Sequence, residues 1–296
     1  MTQKAQIVKA YAGYYDLMWQ NQIITCRARG NLSIRKGDRY QKTDLYTGDW
    51  VNFSITQDHE GVIESLEPRK NFLEDIRVAN VDQVLLLLAI KNPDLSLRLL
   101  NEYLVLMRFA PDLPLMIGFN KIDLSADKEL NLEELQKDLK KMNIPSLTLS
   151  AKTKQNLEAL KPFLTQRVTV ISGPSGSGKS TLINDFFPDR PQETQEVSEK
   201  IGRGKQTTRF SQLLINSEGL ALVDTPGFSS VDLKITKENW LSFFPELSDL
   251  PGNCQFRDCL HLKEPRCKVK QAVEDLNLPR WRYDYYVETY ETLKEF

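Results

Sequence analysis

The sequence predicts a multi-domain α/β protein with a β-barrel. An N-terminal OB-fold barrel is expected over 1–68, a P-loop domain whose parallel sheet carries helices on both faces over 69–230, and a small, mainly helical, cysteine-bearing region over 231–296. Short strands broken by turns, with no helical period among them, fill the first segment. After about residue 83 the period changes to apolar strands alternating with amphipathic helices. Three of the four cysteines, Cys254, Cys259 and Cys267, then fall together near the end, with His261 between them.

Composition narrows the classes. Lysine and arginine number 39 against 40 aspartates and glutamates, a formal net charge of −1. Any nucleic-acid contact must therefore use a local patch and not a global basic field. The longest apolar run, 84–90, is far shorter than the roughly 18 residues a membrane span needs. The first residues, MTQKAQIVKAYAGYY, hold no apolar core with a cleavage site, which predicts a cytoplasmic protein without membrane association. In a reducing compartment, clustered cysteines favour a metal over disulfides.

In the first segment, strands are expected at 7–11, 14–19, 22–28, 50–55 and 61–66. So many short strands in so short a stretch suit a small closed barrel, with the OB-fold the leading candidate. Between Arg27 and Lys42, Arg27, Arg29, Arg35, Lys36, Arg39 and Lys42 stand against the single acid Asp38. Such a stretch suits RNA phosphates, and it also suits a solvated hairpin. Cys26, on a barrel strand, reads as an inert thiol. His59, in a turn with no partner pattern, receives no role.

Residues 69–82 are polar and mixed, as a linker would be. Strands then follow at 84–90, 115–119, 146–149 and 168–171, with helices between them at about 96–109, 130–142 and 156–164. This alternation is the signature of a parallel sheet covered on both faces, whose ligands sit beyond the carboxyl ends of the strands. The segments directly after strands are therefore where the chemistry is sought.

After 168–171 comes Gly173-Pro174-Ser175-Gly176-Ser177-Gly178-Lys179-Ser180-Thr181, opening an apolar-periodic helix with Leu182, Ile183, Phe186 and Phe187. Glycines let several backbone N–H groups point at phosphate oxygens, the helix N-terminus adds positive potential, Lys179 can reach the outer phosphates, and Ser180 can ligate Mg²⁺. The loop alone suits an ATP transporter subunit or a nucleotide kinase as well as a GTPase. The choice comes from two other motifs. Asn120-Lys121-Ile122-Asp123 directly follows 115–119, and Ser150-Ala151-Lys152 directly follows 146–149. An Asp carboxylate accepts from guanine N1–H and N2–H₂, a pair that adenine does not offer, while an Asn amide can meet N7 and nearby loop atoms. Taken alone, Asp123 would equally suit a helix N-cap. Both motifs at strand ends beside a P-loop read as a guanine site.

Residues 188–212 are polar and irregular, and a long loop of this kind in a compact domain is usually functional or disordered. One of Thr207 and Thr208 can close on Mg²⁺ when a γ-phosphate is present, as a first switch. A strand at 220–223 leads into Asp224-Thr225-Pro226-Gly227-Phe228. There Asp224 can hold the Mg²⁺ shell and the Gly227 N–H the γ-phosphate, as a second switch. The usual guanine-nucleotide domain runs P-loop, switches, base reader. Here the base reader comes first, so the domain is a circularly permuted GTPase.

With this order established, the chain resembles the circularly permuted, small-subunit-dependent GTPases of the RsgA (YjeQ) type. RVANVDQV, NKID, SAK, GPSGSGKST, GRGKQTTR, DTPGF and the cysteine–histidine cluster carry the likeness, which spans almost the whole chain. The resemblance implies hydrolysis of GTP to GDP and phosphate in late assembly of the 30S ribosomal subunit, stimulation by that subunit, contact with 16S rRNA through barrel and C-terminal region, and a monomeric chain. The alternative is a zinc-dependent RNA-binding module that uses GTP as a ligand switch with little turnover.

The cluster reads Cys254-x₄-Cys259-x-His261-x₅-Cys267, three thiolates and an imidazole. This is a closed tetrahedral set for one structural Zn²⁺, with no open position for catalysis. Helices are expected after it at 269–274 and 283–293. The aromatic run Trp281, Tyr283, Tyr285, Tyr286 and Tyr290 reads as packing more than as base stacking.

Phosphoryl transfer asks for charge neutralisation and a placed water. Lys179, and Mg²⁺ held by Ser180, Thr208 and Asp224, meet the first need. Phe228 occupies the place where many small GTPases put a water-placing Gln, so intrinsic hydrolysis is expected to be slow. Members of the resembled family carry a His before the threonine pair where this chain has Gln206. That departure counts against a His base and leaves Gln206 as the water-positioning candidate. Gly176 stands where potassium-activated GTPases carry Asn, so no strong K⁺ dependence is expected. Because the second switch runs straight into the metal-bearing region, movement at Gly227 is expected to reorient that region, with the barrel tied to the other end of the domain.

Overall fold

The computed structural model describes residues 2–30, 33–36, 39–42, 44–57, 59–124, 131–188, 211–224, 235–250 and 254–293. Its first segment is a closed barrel of β1 (Gln3–Tyr11), β2 (Tyr14–Trp19), β3 (Gln22–Ala28), β6 (Trp50–Gln57) and β7 (Glu60–Leu66). The ring closes because β1 pairs with both β2 and β6, while β3 and β7 run parallel. Ile7, Leu17, Val51, Phe53 and Ile63, none exposed, fill the interior. Cys26 belongs to the same core, and burial pushes its thiol up to about 12, in keeping with an inert thiol. A hairpin of β4 (Ser33–Lys36) and β5 (Arg39–Lys42) carries much of the basic stretch.

The P-loop domain holds β10 (Gln83–Ala89), α1 (Leu97–Leu106), β11 (Leu115–Asn120), α2 (Leu132–Lys141), β12 (Ser146–Thr148), α3 (Leu157–Leu164), β13 (Val168–Ser172), α4 (Lys179–Phe186), β14 (Gln212–Ile215) and β15 (Ala221–Asp224). Its strands lie in the order β12-β11-β10-β13-β15-β14. All but β14 are parallel, so the motif-bearing ends of β10, β11, β12, β13 and β15 share one edge. β10 is buried throughout because both faces are covered. Leu85 and Leu87 enter one apolar cluster, and Val84, Leu86 and Leu88 the other. This is why its sequence is a continuous apolar run and does not alternate.

Two expectations need correction. Residues 69–82 are not a bare linker: β8 (Phe72–Leu73) and β9 (Val78–Ala79) pair, and Val78, Ala79 and Val81 are fully buried. With Val8 of the barrel and Val170, Leu213 and Val223 of the sheet, Val78 and Val81 form one apolar cluster, so the segment is packing material between the two units. Arg69 fastens it to the barrel, reaching both carboxylate oxygens of buried Asp49 at 2.7 and 2.8 Å and lying over the Tyr46 and Phe72 rings. The second correction is β14, for which the sequence reading has no strand. β14 pairs with β1 at Lys9↔Gln212, which makes barrel and P-loop sheet one eleven-stranded sheet. The barrel is thus joined to the strand after the segment read as the first switch, and not only to the chain before β10.

The C-terminal region contains α5 (Pro245–Ser248), α6 (Lys268–Glu274) and α7 (Arg280–Thr292). Trp240, Phe244, Tyr283 and Tyr286 pack its core together with Val105 of α1. The aromatic run is therefore packing, as the sequence reading favoured. Arg282 of α7 is 2% exposed. It pairs with Glu246, donates to Asn101 Oδ1 of α1 at 2.9 Å and to the Phe243 carbonyl at 3.2 Å, and stacks over Phe244. Trp281 Nε1 donates to Asp138 of α2 at 3.0 Å. A swing of this region driven from Gly227 would have to break these contacts. Residues 225–234, which make the connection, lie outside the described residues. No helix among the described residues is long and apolar enough to cross a membrane.

Arg282→Ala leaves Glu246, whose side chain is 10% exposed, without its cation, and should cost about 3–5 kcal/mol of stability in urea unfolding. Replacing both Arg282 and Glu246 by Leu should cost far less. Equal losses in the two variants would show that the ion pair is not what makes the position costly.

Candidate functional site

The P-loop leaves β13 at Ser172 and wraps into α4. Three of its glycines have positive φ: Gly173 at +143°, Gly176 at +77° and Gly178 at +96°. At Gly173 an added Cβ would meet the Leu87 carbonyl oxygen at 2.0 Å, so the loop can leave the sheet here only without a side chain. Gly178 caps α4 without any side-chain hydrogen bond. The first-turn amides of that helix are thus left for an anion. Lys179 Nζ folds back on the carbonyls of Gly173 at 2.6 Å and Pro174 at 2.8 Å. Burial holds its pKa below the ordinary lysine range, an effect that Asp224 partly offsets. These neutral acceptors are what a phosphate would replace. Ser180 is exposed at the start of α4, and Asp224, paired with Ile171, stands level with the end of β13.

Asn120 lies under the loop, 1% exposed. Its Nδ2 donates to the Ser177 carbonyl at 2.8 Å, and its Oδ1 accepts from the Ala151 N–H at 2.9 Å. The amide therefore ties P-loop, base reader and the Ser150-Ala151-Lys152 loop together, and both its ends are engaged with protein. Of the two contacts read for Asn120, that with loop atoms is present, and the second hydrogen of Nδ2 is the donor that an N7 contact would use. The same brace explains Gly178, where an added Cβ would sit 2.1 Å from Asn120 Nδ2.

Asp123 is exposed, and its Oδ1 accepts from Ser150 Oγ at 2.6 Å. Ser150 Oγ in turn accepts from the Thr153 N–H at 3.1 Å, which fixes the hydroxyl and with it the carboxylate. Ile122 is drawn in by its N–H to the Leu149 carbonyl at 3.3 Å. Lys121 has φ +68° and donates to the Asn92 carbonyl. Lys152 stays exposed beside Ala151. Sequence reasoning missed the turn at Asn92, although its position just after β10 follows the strand-end rule that found the other motifs. Pro93 Cδ in this turn lies 3.4 Å from the place of a Cβ on Gly176, so the turn walls one side of the P-loop. Gln206, Thr207, Thr208, Gly227 and Phe228 lie outside the described residues.

In the C-terminal region the ligand atoms of Cys254, Cys259, His261 and Cys267 all lie within 4.8 Å of one another. His261 Nδ1 is 3.6 Å from Cys254 Sγ and 3.3 Å from Cys267 Sγ, and the two sulfurs are 4.0 Å apart. Tetrahedral zinc, with bonds of roughly 2.0–2.3 Å, brings its ligands about this close together, so the set fits one such ion. Burial depresses the pKa of His261 and favours the neutral ring that ligation needs. Burial also raises Cys259, to about 12, so without a cation this thiol stays protonated. Glu264 accepts from the Leu260 and Leu262 N–H groups at 2.9 and 2.8 Å, and Tyr283 and Tyr286 donate to the carbonyls of His261 and Leu260 at 2.7 and 2.8 Å. The ligand loop is thus held by the helix behind it.

A family model described as RsgA GTPase matches residues 66–234, and one described as RsgA N-terminal domain matches residues 4–63. The chain belongs to the RsgA GTPase family. A Clostridium botulinum relative named small ribosomal subunit biogenesis GTPase RsgA is 39% identical over 293 residues, covering 98% of this chain and 97% of the relative. A Clostridium perfringens protein of the same name is 41% identical over 289 residues, covering 97% and 96%. The solved structure of YjeQ from Thermotoga maritima superposes with a TM-score of 0.77 at 32% identity, covering 99% of both chains. That of YloQ, described as a circularly permuted GTPase, superposes with a TM-score of 0.76 at 32% identity, covering 100% of this chain and 98% of that one. In this chain the permutation leaves the strand-end geometry intact, because the sheet order depends on pairing and not on where the chain begins.

If Asn120 is the brace of the site, Asn120→Ala and Gly178→Ala should each weaken binding of a fluorescent guanine nucleotide by about tenfold or more, since buried groups are left unpaired at roughly 1–3 kcal/mol each. Undiminished affinity in either variant would contradict that role.

Proposed function

We propose that this chain is a cytoplasmic GTP hydrolase that acts, as a monomer, in late assembly of the 30S ribosomal subunit, binds 16S rRNA and is stimulated by the subunit. The observation that carries the nucleotide part is the Asn120 junction, which gathers a phosphate loop and a guanine-reading carboxylate at one sheet edge. The ribosomal part is carried by the names of relatives about 40% identical over nearly the whole chain.

In this reading Asp123 takes guanine N1–H and N2–H₂. Lys121, Ile122, Ser150, Ala151 and Lys152 line the base, and 173–181 wrap the phosphates. Lys179 exchanges its two carbonyl partners for phosphate oxygens and neutralises charge on the leaving side. Ser180, Thr208 and Asp224 would hold Mg²⁺, which supplies further neutralisation of the phosphates. Thr207 and the Gly227 N–H reach the γ-phosphate side, and Gln206 orients the attacking water. Phe228 cannot perform that last task, which supports a dependence on the small subunit for turnover. Cys254, Cys259, His261 and Cys267 would hold one structural Zn²⁺, whose binding contributes folding free energy to their region. Units of 1–68, 69–230 and 231–296 correspond to rRNA-binding barrel, GTPase and zinc-binding region.

Three measurements test this reading. GDP and GTP should displace a labelled guanine nucleotide while ATP does not, and equal competition by ATP would defeat the guanine assignment. Gln206→Ala should lower subunit-stimulated turnover at unchanged GTP affinity; undiminished turnover would remove Gln206 from the mechanism. A strong chelator should abolish the near-ultraviolet signal of the C-terminal aromatics while guanine-nucleotide binding persists. A signal that survives metal removal would show that the cluster is not structural.

A further inference from the structure

Where the barrel, the 69–82 segment and the start of β14 meet, they leave a cleft of about 300 Å³, at the low end of the roughly 300–1,000 Å³ that small-ligand sites span. Tyr11 at the end of β1, Tyr15 on β2 and Tyr46 in the loop between β5 and β6 line it. The Tyr15 ring packs against the barrel core, and its hydroxyl has no hydrogen-bond partner among the described residues. Burial and the nearby Asp44 raise the pKa of that hydroxyl, so it keeps its proton. Tyr46 is seated against Phe72, with ring centroids 4.6 Å apart. The back of the cleft is fixed as well: Thr47 Oγ1 donates to the Ser211 carbonyl at 2.9 Å, and the Ser211 hydroxyl to the Ile76 carbonyl at 2.9 Å. Charges of both signs stand at the rim. Asp44 is exposed there, and Arg77, exposed and at φ +52°, forms no ion pair among the described residues.

We propose that this cleft takes one unpaired, amine-bearing base of an RNA strand, with the strand's phosphate at Arg77. A phosphate inside the cleft would face Asp44. A neutral base would not be repelled, and the Tyr15 hydroxyl can both donate to and accept from its edge. The carboxylate selects among bases. It accepts from the exocyclic amine of adenine, cytosine or guanine, while in uracil the edge N–H lies between two carbonyl oxygens that a carboxylate repels. What lies outside the cleft favours a strand over a free nucleotide. Tyr11 leads out to a row on the outer face of the barrel: its ring stacks on Tyr14 with centroids 6.2 Å apart, Arg27 lies over Tyr14 at 4.7 Å, and the register sets Tyr11 opposite Tyr14 and Tyr14 opposite Arg27. Rings with a cation beside them are the footing on which successive bases of a single strand stack. A duplex keeps its bases paired and stacked inside, and a cleft of this size does not admit it. The inference rests on the reading of the barrel as RNA-binding and names the kind of RNA it takes.

The test uses the full-length, metal-loaded, GDP-bound chain and fluorescein-labelled RNA: short single strands of adenylate and of uridylate, and a blunt duplex. Affinities are read by fluorescence anisotropy. The adenylate strand should bind more tightly than the uridylate strand. Tyr15→Phe, which removes only the hydroxyl, should weaken the adenylate strand about fivefold, the scale of one hydrogen bond, and leave duplex and GDP affinity within about twofold. Asp44→Ala should abolish the preference for adenylate. Arg77→Asn removes the cation with a residue that tolerates positive φ. It should weaken both single strands and lower the salt dependence of their binding by about one phosphate contact. Undiminished adenylate binding in Tyr15→Phe, an adenylate preference that survives Asp44→Ala, or a loss on the duplex as large as that on the single strand would overturn the proposal. Displacement of the adenylate strand by free AMP at equal affinity would overturn it too, by giving the cleft to a mononucleotide. Should the wild type bind the duplex or small subunits but neither single strand, the RNA reading stands and the base cleft falls; should it bind no RNA of any kind, both fall. Should Tyr15→Phe fail to fold, seen as lost GDP binding, the comparison of adenylate with uridylate in Asp44→Ala decides.

Discussion

The side-chain amide of Asn120 is the contact on which the candidate site depends. One buried side chain bonds the phosphate loop through Ser177 and the Ser150-Ala151-Lys152 loop through Ala151, from the end of the strand that also carries Asp123. The phosphate loop runs into α4 and Ile122–Leu124 forms a turn of 3-10 helix, but neither element joins one loop to the next. What aligns them is a buried donor and a buried acceptor that must both be satisfied. Gly178 follows from this constraint, since the amide occupies the space of its missing side chain. A permuted chain loses nothing by it, because the amide bridges loops that are adjacent in space whatever their order in sequence.

Around this junction the two flanking regions are attached by different physics. The C-terminal region is docked by aromatic packing and by Arg282, a buried cation whose charge is met by Glu246 and whose remaining donors reach Asn101 and Phe243. Removing one partner of such a set is costly, which favours a fixed attachment. The barrel is attached by short β-pairing, the apolar filling around Val78 and Val81, and the bonds at Ser211.

Much of this was legible in the sequence, for identifiable reasons. The apolar run of β10, the glycines of the P-loop and the strand-end placement of Asn120 to Asp123 and Ser150 to Lys152 are local signals that reflect local geometry. The metal cluster was legible because ligand chemistry restricts which residue types can serve. What escaped were features whose partners are distant in sequence. β14 is short and makes sense only beside β1 and β15. The segment at 69–82 looks polar because its apolar residues are read among charged neighbours, yet Leu73, Ile76, Val78 and Val81 fill the gap between two units. Asn120 was recognised as part of a guanine motif, but its partners, Ser177 and Ala151, could be assigned only once the strands were placed side by side.

Hydrolysis of a guanine nucleotide under control of the small ribosomal subunit is tested most directly by GTP turnover titrated with purified small subunits at several salt concentrations. Turnover should be slow alone and rise saturably on titration, and the apparent subunit affinity should weaken steeply as salt increases, because phosphate contacts release counterions. Turnover that is the same with and without subunits would contradict it.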